Sequence, residues 1–199
     1  MDPRALRSNL VGMLLATLAA CGGGGGGGGG SASKGIQTDS AGAINDVIVS
    51  GDVFVNTAVD SIYIGGGNNI DIHDNTFYRP VAYSDGVHRD FVQVDKGSDL
   101  AIYDNMMTGP GLGTVGSYPN QGIILASVTA GNIHDFTVYG NRVEHLDGTA
   151  YLFSGAGVTN GSVNSNTWCH VRTSIAGTPG SGVTFLGNSG TSPATDDTG

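Results

Sequence analysis

The chain has 199 residues, 35 of them Gly, with 8 Lys+Arg against 17 Asp+Glu and a formal net charge of −9. That length normally makes one domain, and scarce charge with abundant Gly excludes a helical bundle in favour of strands and turns. The negative balance argues against nucleic acid or an anionic membrane surface as a partner.

Residues 1–20 read as an export signal. Arg4 and Arg7 supply a positive start, and the apolar run that follows is too short to span a bilayer. The run ends in Leu18-Ala19-Ala20-Cys21, which resembles the bacterial lipobox. In that family the signal is cleaved before the Cys, whose thiol carries a diacylglycerol. The resemblance implies a lipid anchor on Cys21 and an outer-membrane or cell-surface lipoprotein, with an ordinary cleaved signal as the alternative. Residues 21–34 continue as a Gly-rich tether without a core. With Cys21 lipidated, Cys169 has no partner, so neither a disulfide nor a zinc framework is expected despite the exported context.

Residues 35–190 carry a repeated phrase. It runs Val47-Ile-Val-Ser-Gly-Asp-Val-Phe54, Ile70-Asp-Ile-His-Asp-Asn-Thr-Phe77, Leu100-Ala-Ile-Tyr-Asp-Asn-Met-Met107 and Phe136-Thr-Val-Tyr-Gly-Asn-Arg-Val143. It returns as Gly161-Ser-Val-Asn-Ser-Asn-Thr-Trp168 and, weakly, as Val183-Thr-Phe-Leu-Gly-Asn-Ser-Gly190. The steps of about 22 to 36 residues fall in the range of solenoid repeats. Alternating apolar positions such as Val47/Val49 and Ile70/Ile72 share one parity and face inward. A second apolar column follows the turn at Phe54, Phe77, Met107, Val143 and Trp168. The turn column is Asp52, Asn75, Asn105, Asn141, Asn166 and Asn188, where Asn tolerates left-handed backbone and its amide can bond the rungs above and below. Each coil contains a second strand, at 61–64, 91–94, 122–126, 150–153 and 173–175. Residues 35–45 read as an N-terminal cap, residues 109–119 as the largest inserted loop, and 191–199 as a polar tail.

This ladder resembles the right-handed parallel β-helix of the pectate-lyase-like superfamily over about residues 44–188. The fold expected is therefore all-β, a right-handed parallel β-helix of about five to six short coils with an Asn ladder. Leucine-rich repeats lack their Leu framework here, and calcium-binding nonapeptide repeats lack tandem copies. Open coil ends would leave strand edges free for self-association.

Two places are free for chemistry. The residue two before the Asn column points outward, aligning Ser50, His73, Tyr103, Tyr139 and Asn164 on adjacent rungs. Such a row suits an extended polysaccharide, whose sugar C–H faces stack on aromatic rings. The structural alternative is an aromatic stack that only stabilises the sheet. The second place is the polar stretch from Asp85 to Lys96, in which Arg89, Gln93 and Asp95 share the outward parity and Tyr63 should neighbour Gln93. Its His88-Arg-Asp90-Phe-Val-Gln93 phrase resembles one in bacterial and phage β-helix proteins, to which no secure activity attaches.

Uronic-acid lyases of this fold neutralise a carboxylate, often with Ca²⁺, and abstract the neighbouring proton with Arg or Lys. By that resemblance Asp85, Asp90 and Asp95 would hold Ca²⁺, Arg89 or Lys96 would be the base, and His88 the proton donor. Tyr63, Gln93, His73, Tyr103 and Tyr139 would contact the glycan. A lyase for polyanions usually presents more positive charge than this chain carries. The Asp-Asp and Gly-His-Gly segments of polygalacturonase-like hydrolases are absent from any suitable place, although a looser carboxylate pair would still suit hydrolysis. His134 and His145 read as turn or surface residues. The expectation is an exported, lipid-anchored protein that binds polysaccharide, with catalysis left open and, if present, a lyase favoured over a hydrolase. Its rival is a non-catalytic structural or adhesion module of the cell envelope.

Overall fold

A computed structural model of the protein describes residues 35–38, 44–57, 59–79, 89–111, 121–127 and 133–191. Cys21, the tether, Asp85, His88, most of the 109–119 loop and the tail beyond Thr191 lie outside the described residues.

The chain winds as an all-β parallel solenoid of about 5 turns. The first coil carries β1 (Ile36–Thr38), β2 (Ile44–Ser50) and β3 (Val53–Val55). The second carries β4 (Ile62–Ile64), β5 (Gly67–His73) and β6 (Thr76–Tyr78), and the third β7 (Val92–Val94), β8 (Gly97–Tyr103) and β9 (Met106–Thr108). After β10 (Ile123–Ala126) and β11 (Ile133–Tyr139), β12 (Arg142–Ser154) runs unbroken round a corner. Next come β13 (Val158–Asn164) and β14 (Thr167–Ala176), then β15 (Val183–Leu186) and β16 (Ser189–Thr191).

Three faces result. One is a 6-stranded sheet in the order β15-β13-β11-β8-β5-β2. The other two merge into a 10-stranded sheet, because β12 and β14 contribute to both. Every pairing is parallel and, apart from a register shift between β12 and β14 after Leu146, in register, so sequence columns become spatial columns: Ile72 pairs with Val49 below and Ile102 above. Residues 36–38, expected in a cap, instead form a rung, with Ile36 paired to Ile62.

The core follows from the alternation. Ile70, Ile72, Leu100, Ile102, Phe136 and Val138 of the 6-stranded sheet all point inward and are buried. They meet Ile62, Ile64, Val92, Val94, Ile123 and Leu125 from the opposite side. Each such aliphatic side chain contributes about 1.5–3 kcal/mol of burial. Phe54 and Phe77 stack on successive rungs at 4.9 Å between ring centroids. Volumes are traded between rungs: the Phe136 ring leans over Gly161, where a Cβ would come within 2.1 Å of its Cζ.

The corner after the 6-stranded sheet divides two roles that the sequence alone merged. The left-handed residue is the one before the Asn column: Asp74 (φ 54°), Asp104 (φ 52°) and Ser165 (φ 54°), with Gly51, Gly140 and Gly187 on the other rungs. A short polar side chain or Gly tolerates that backbone. A second left-handed column lies inside the sheet at Asp46, Asn69, Asp99, Asp135 and Asn160. Much of the chain's acidity therefore serves backbone geometry.

Asn75, Asn105, Asn141 and Asn166 of the column turn inward and are buried, and Asn188 is half-buried. Asn75 Nδ2 donates to Asn105 Oδ1 (3.0 Å), Asn105 to Asn141 (2.9 Å), Asn141 to Asn166 (3.0 Å) and Asn166 to Asn188 (3.0 Å). The backbone N–H of each rung donates to the same Oδ1 of the next, beginning with Asp52 N–H to Asn75 at 3.0 Å. Each amide also reaches the strand carbonyl one rung back, as Asn105 does to Ile72 at 2.8 Å. Buried corner groups are thus hydrogen-bonded, as they must be away from water.

Candidate functional site

The outward column on the 6-stranded sheet assembles as its spacing predicts. Ser50 pairs with His73, His73 with Tyr103, Tyr103 with Tyr139, and Tyr139 with Asn164. Strand spacing sets the rings almost flat on one another: His73–Tyr103 at 4.7 Å and 5°, Tyr103–Tyr139 at 4.9 Å and 3°. This corrects the expectation that sugars would stack on the ring faces. Both faces of Tyr103 are covered by its neighbours, so the column offers the ring edges.

The surroundings are acidic. Asp71 points outward beside the column, and Asp74 and Asp104 stand at its corner. His73 Nδ1 lies 2.8 Å from Asp74 Oδ2. Partial desolvation, then the charge of Asp71, the Tyr139 phenol and the charges of Asp74 and Asp104 raise the Tyr103 pKa above its ordinary value. Tyr103 therefore stays a neutral donor wherever an ordinary tyrosine does and further into the alkaline range. No Lys or Arg occurs on any of the six strands of this sheet, whereas Asp46, Asp71, Asp99 and Asp135 do. Sequence inspection found the aromatic row but not this ring of carboxylates, because only the stacking shows which Asp residues share its face.

The second candidate place comes apart. Tyr63 does neighbour Gln93, and both reach Asp95: Tyr63 Oη donates to Oδ2 at 2.7 Å and Gln93 Nε2 to Oδ1 at 2.8 Å. Arg89, expected outward, is buried at 3% exposure. The reason is that β7 begins only at Val92, so its alternation does not extend back through the corner to Arg89. Lys96 is exposed beyond the far end of β7. Asp90 is also buried, and its Oδ1 accepts the backbone N–H of Gln121 at 2.9 Å.

Asp90 and Asp95 are thus corner and surface hydrogen-bond acceptors, on opposite ends of β7. Among the described residues no group of three or more His, Cys, Asp or Glu gathers as metal ligands. Nor do Arg89, Gln93 and Lys96 join the aromatic row: Tyr63 and Gln93 belong to the 10-stranded sheet, Tyr103 to the other.

What the sequence reading missed here is a buried framework. Asp60 Oδ1 accepts the N–H of Asp90 at 3.0 Å, one rung below the Asp90–Gln121 contact. Arg79, 1% exposed, donates to the carbonyls of Arg89 (3.2 Å) and Val59 (2.9 Å) and lies 5.0 Å from the Phe91 ring centroid. The signal was present: Asp60-Ser-Ile62, Asp90-Phe-Val92 and Gln121-Gly-Ile123 align as one column before the second strand.

The remaining ionisable pairs are peripheral. His134 Nδ1 lies 2.7 Å from Asp135 Oδ2, and His145 packs obliquely on His170 at 5.1 Å. Cys169 is a free, half-buried thiol 3.5 Å from His170 Nδ1.

Searches against models of protein families, curated proteins and solved structures return no match to this chain.

Proposed function

We propose that this is an exported solenoid, anchored through lipid on Cys21 at the outer membrane or cell surface, that binds an extended uncharged polysaccharide without cleaving it. We place it with the right-handed β-helices of the pectate-lyase-like superfamily on the repeat pattern. The single observation carrying the binding reading is the stacked His73–Tyr103–Tyr139 column between Ser50 and Asn164. A glycan lying along the solenoid axis meets one polar edge per rung, at the strand spacing of about 4.8 Å. Its hydroxyls pair with phenol, imidazole and carboxylate groups that need no rearrangement, because the stack already orders them.

Charge selects the ligand class. A face with Asp46, Asp71, Asp99 and Asp135 and no Lys or Arg repels a polyuronate, and like-charge juxtaposition costs several kcal/mol. Lyase action at the Asp85 to Lys96 stretch is disfavoured by the burial of Arg89. The rival reading, a structural or adhesion module, draws on the ring faces being covered.

Affinity electrophoresis through neutral glycans and polyuronates, with and without Ca²⁺, tests the proposal. Retardation by a neutral glycan, lost in Tyr103→Ala and Tyr139→Ala, is the expected result. No retardation by any glycan would leave the structural module. Unsaturated sugar products would restore the lyase. Labelled fatty acid should enter the chain and be lost in Cys21→Ser.

A further inference from the structure

The two ends of the solenoid are complementary. Along the Asn ladder every rung gives its backbone N–H and its Nδ2 forward, to the Oδ1 of the next rung. Asn188, the last rung described, receives such donors from Asn166 at 3.0 Å and has no following rung to donate to among the described residues. Asp52 begins the column, and its backbone is in register because its N–H donates to Asn75 Oδ1. It is the one column position without an amide, and a carboxylate accepts only. Among the described residues that carboxylate receives no hydrogen bond. An acceptor with two oxygens stands where a preceding rung would present two donors.

The strands repeat the match. Among the described residues the last coil leaves edges on β14 beyond Thr173, on β15 and on β16, and the first coil leaves the opposite edges of β1, β2 and β3. Their interior columns continue in kind: Ile175 belongs to the column that begins with Ile36, and Phe185 to the one that begins with Val49. Phe185 turns inward with its ring 5.6 Å from Phe153, yet is 42% exposed, with no further coil over it among the described residues. Such an apolar end is an association surface.

We propose that the protein assembles head to tail, the last coil of one copy seating in register on the first coil of the next. Asn188 then donates to Asp52 of the neighbouring copy. Phe185 covers Val49, Ile175 covers Ile36, and three parallel strand pairings form at once. The interface is heterologous and its operator advances along the solenoid axis, so it generates an open filament rather than a closed ring. Charge-assisted hydrogen bonds to Asp52 set the direction and the register.

Sedimentation velocity of the full chain tests this, with Cys21→Ser throughout and mild detergent so that lipid clustering does not contribute. The parent chain should show species that lengthen with concentration. Asp52→Lys blocks one end and Phe185→Lys the other, so each alone should be monomeric with an unchanged circular dichroism spectrum. Mixed in equal amounts, the two should give dimers and nothing longer, since one intact head meets one intact tail. Asp52→Asn, which keeps the acceptor, should still assemble. Ile175→Lys, at the inward position of the same coil that seats on Ile36, replaces Phe185→Lys if that variant does not fold. A parent chain monomeric at every concentration overturns the proposal. Assembly by either Lys variant alone, or a mixture that yields no dimer, does so equally.

Discussion

The side-chain amide of Asn105 donates to Oδ1 of Asn141 at 2.9 Å, across 36 residues of chain. That Oδ1 also accepts the Asn105 backbone N–H at 3.1 Å. One side chain on each rung thus closes the corner of the rung before it. The loop between rungs can lengthen without disturbing the contact, which is how coils separated by 22 and by 36 residues stack in one register.

Asn105→Ala should therefore cost far more than its size suggests. It strands the Asn75 N–H and amide and the carbonyl of Ile72, all in a buried corner. At about 1–3 kcal/mol for each buried group left unpaired, a loss of roughly 3 kcal/mol or more is expected in urea unfolding. Asn188→Ala, at the ladder's half-buried end, should cost about 1 kcal/mol. Equal losses at both positions would contradict the ladder's role.

Phe136 and Gly161 form a size-compensating pair. Gly161→Val places methyl groups where the Phe136 ring lies, so overpacking should destabilise the fold by about 1–3 kcal/mol. In the double variant with Phe136→Ala, the Val side chain fills the vacated space. The measured loss should then be smaller than the sum of the two single losses. Additive losses would show that the two positions do not compete for one space.

Tyr151 predicts an alkaline limit. Its hydroxyl is buried, within 2.9 Å of the Asn141 carbonyl and 3.0 Å of that of Thr167, and burial raises its pKa. The native state holds this proton after the unfolded chain, with an ordinary pKa near 10, has released it. Stability from Tyr151 is full below about pH 10 and falls as pH rises above it. Tyr103, also shifted upward, adds in the same direction. Melting temperature against pH should decline more gently in Tyr151→Phe than in the parent chain. Parallel curves would remove Tyr151 from the account.

Calcium and chelator should leave the melting temperature unchanged, because both Asp95 oxygens are engaged by Tyr63 and Gln93 and Asp90 is buried against Gln121. A bound ion would raise the midpoint by roughly 2–8 °C per kcal/mol of stabilisation, depending on domain size. A rise of that order would return the carboxylates to metal binding.

Much of this architecture was legible residue by residue. Alternation placed Ile70 and Ile72 inside and His73 outside, and the Asn column marked the corners. The repeat spacing alone sets Tyr63 beside Gln93. Legibility stopped at the corners. Arg89 follows no strand parity, and the left-handed position shifted from Asn105 to Asp104 because backbone conformation, not side-chain type alone, distinguishes them.

The sequence by itself determined which residues face the interior and that the chain coils, because a period of two and a short turn are local properties. Only the tertiary structure decided what each outward residue meets. Tyr103 became the middle of a stack with both faces covered, Asp95 a partner of Tyr63, and Asp52 an acceptor at an open end. Those contacts join residues 23 to 36 positions apart, and the loops that separate them carry no periodic signal. Stacking sets such neighbours, and stacking is a property of the whole coil.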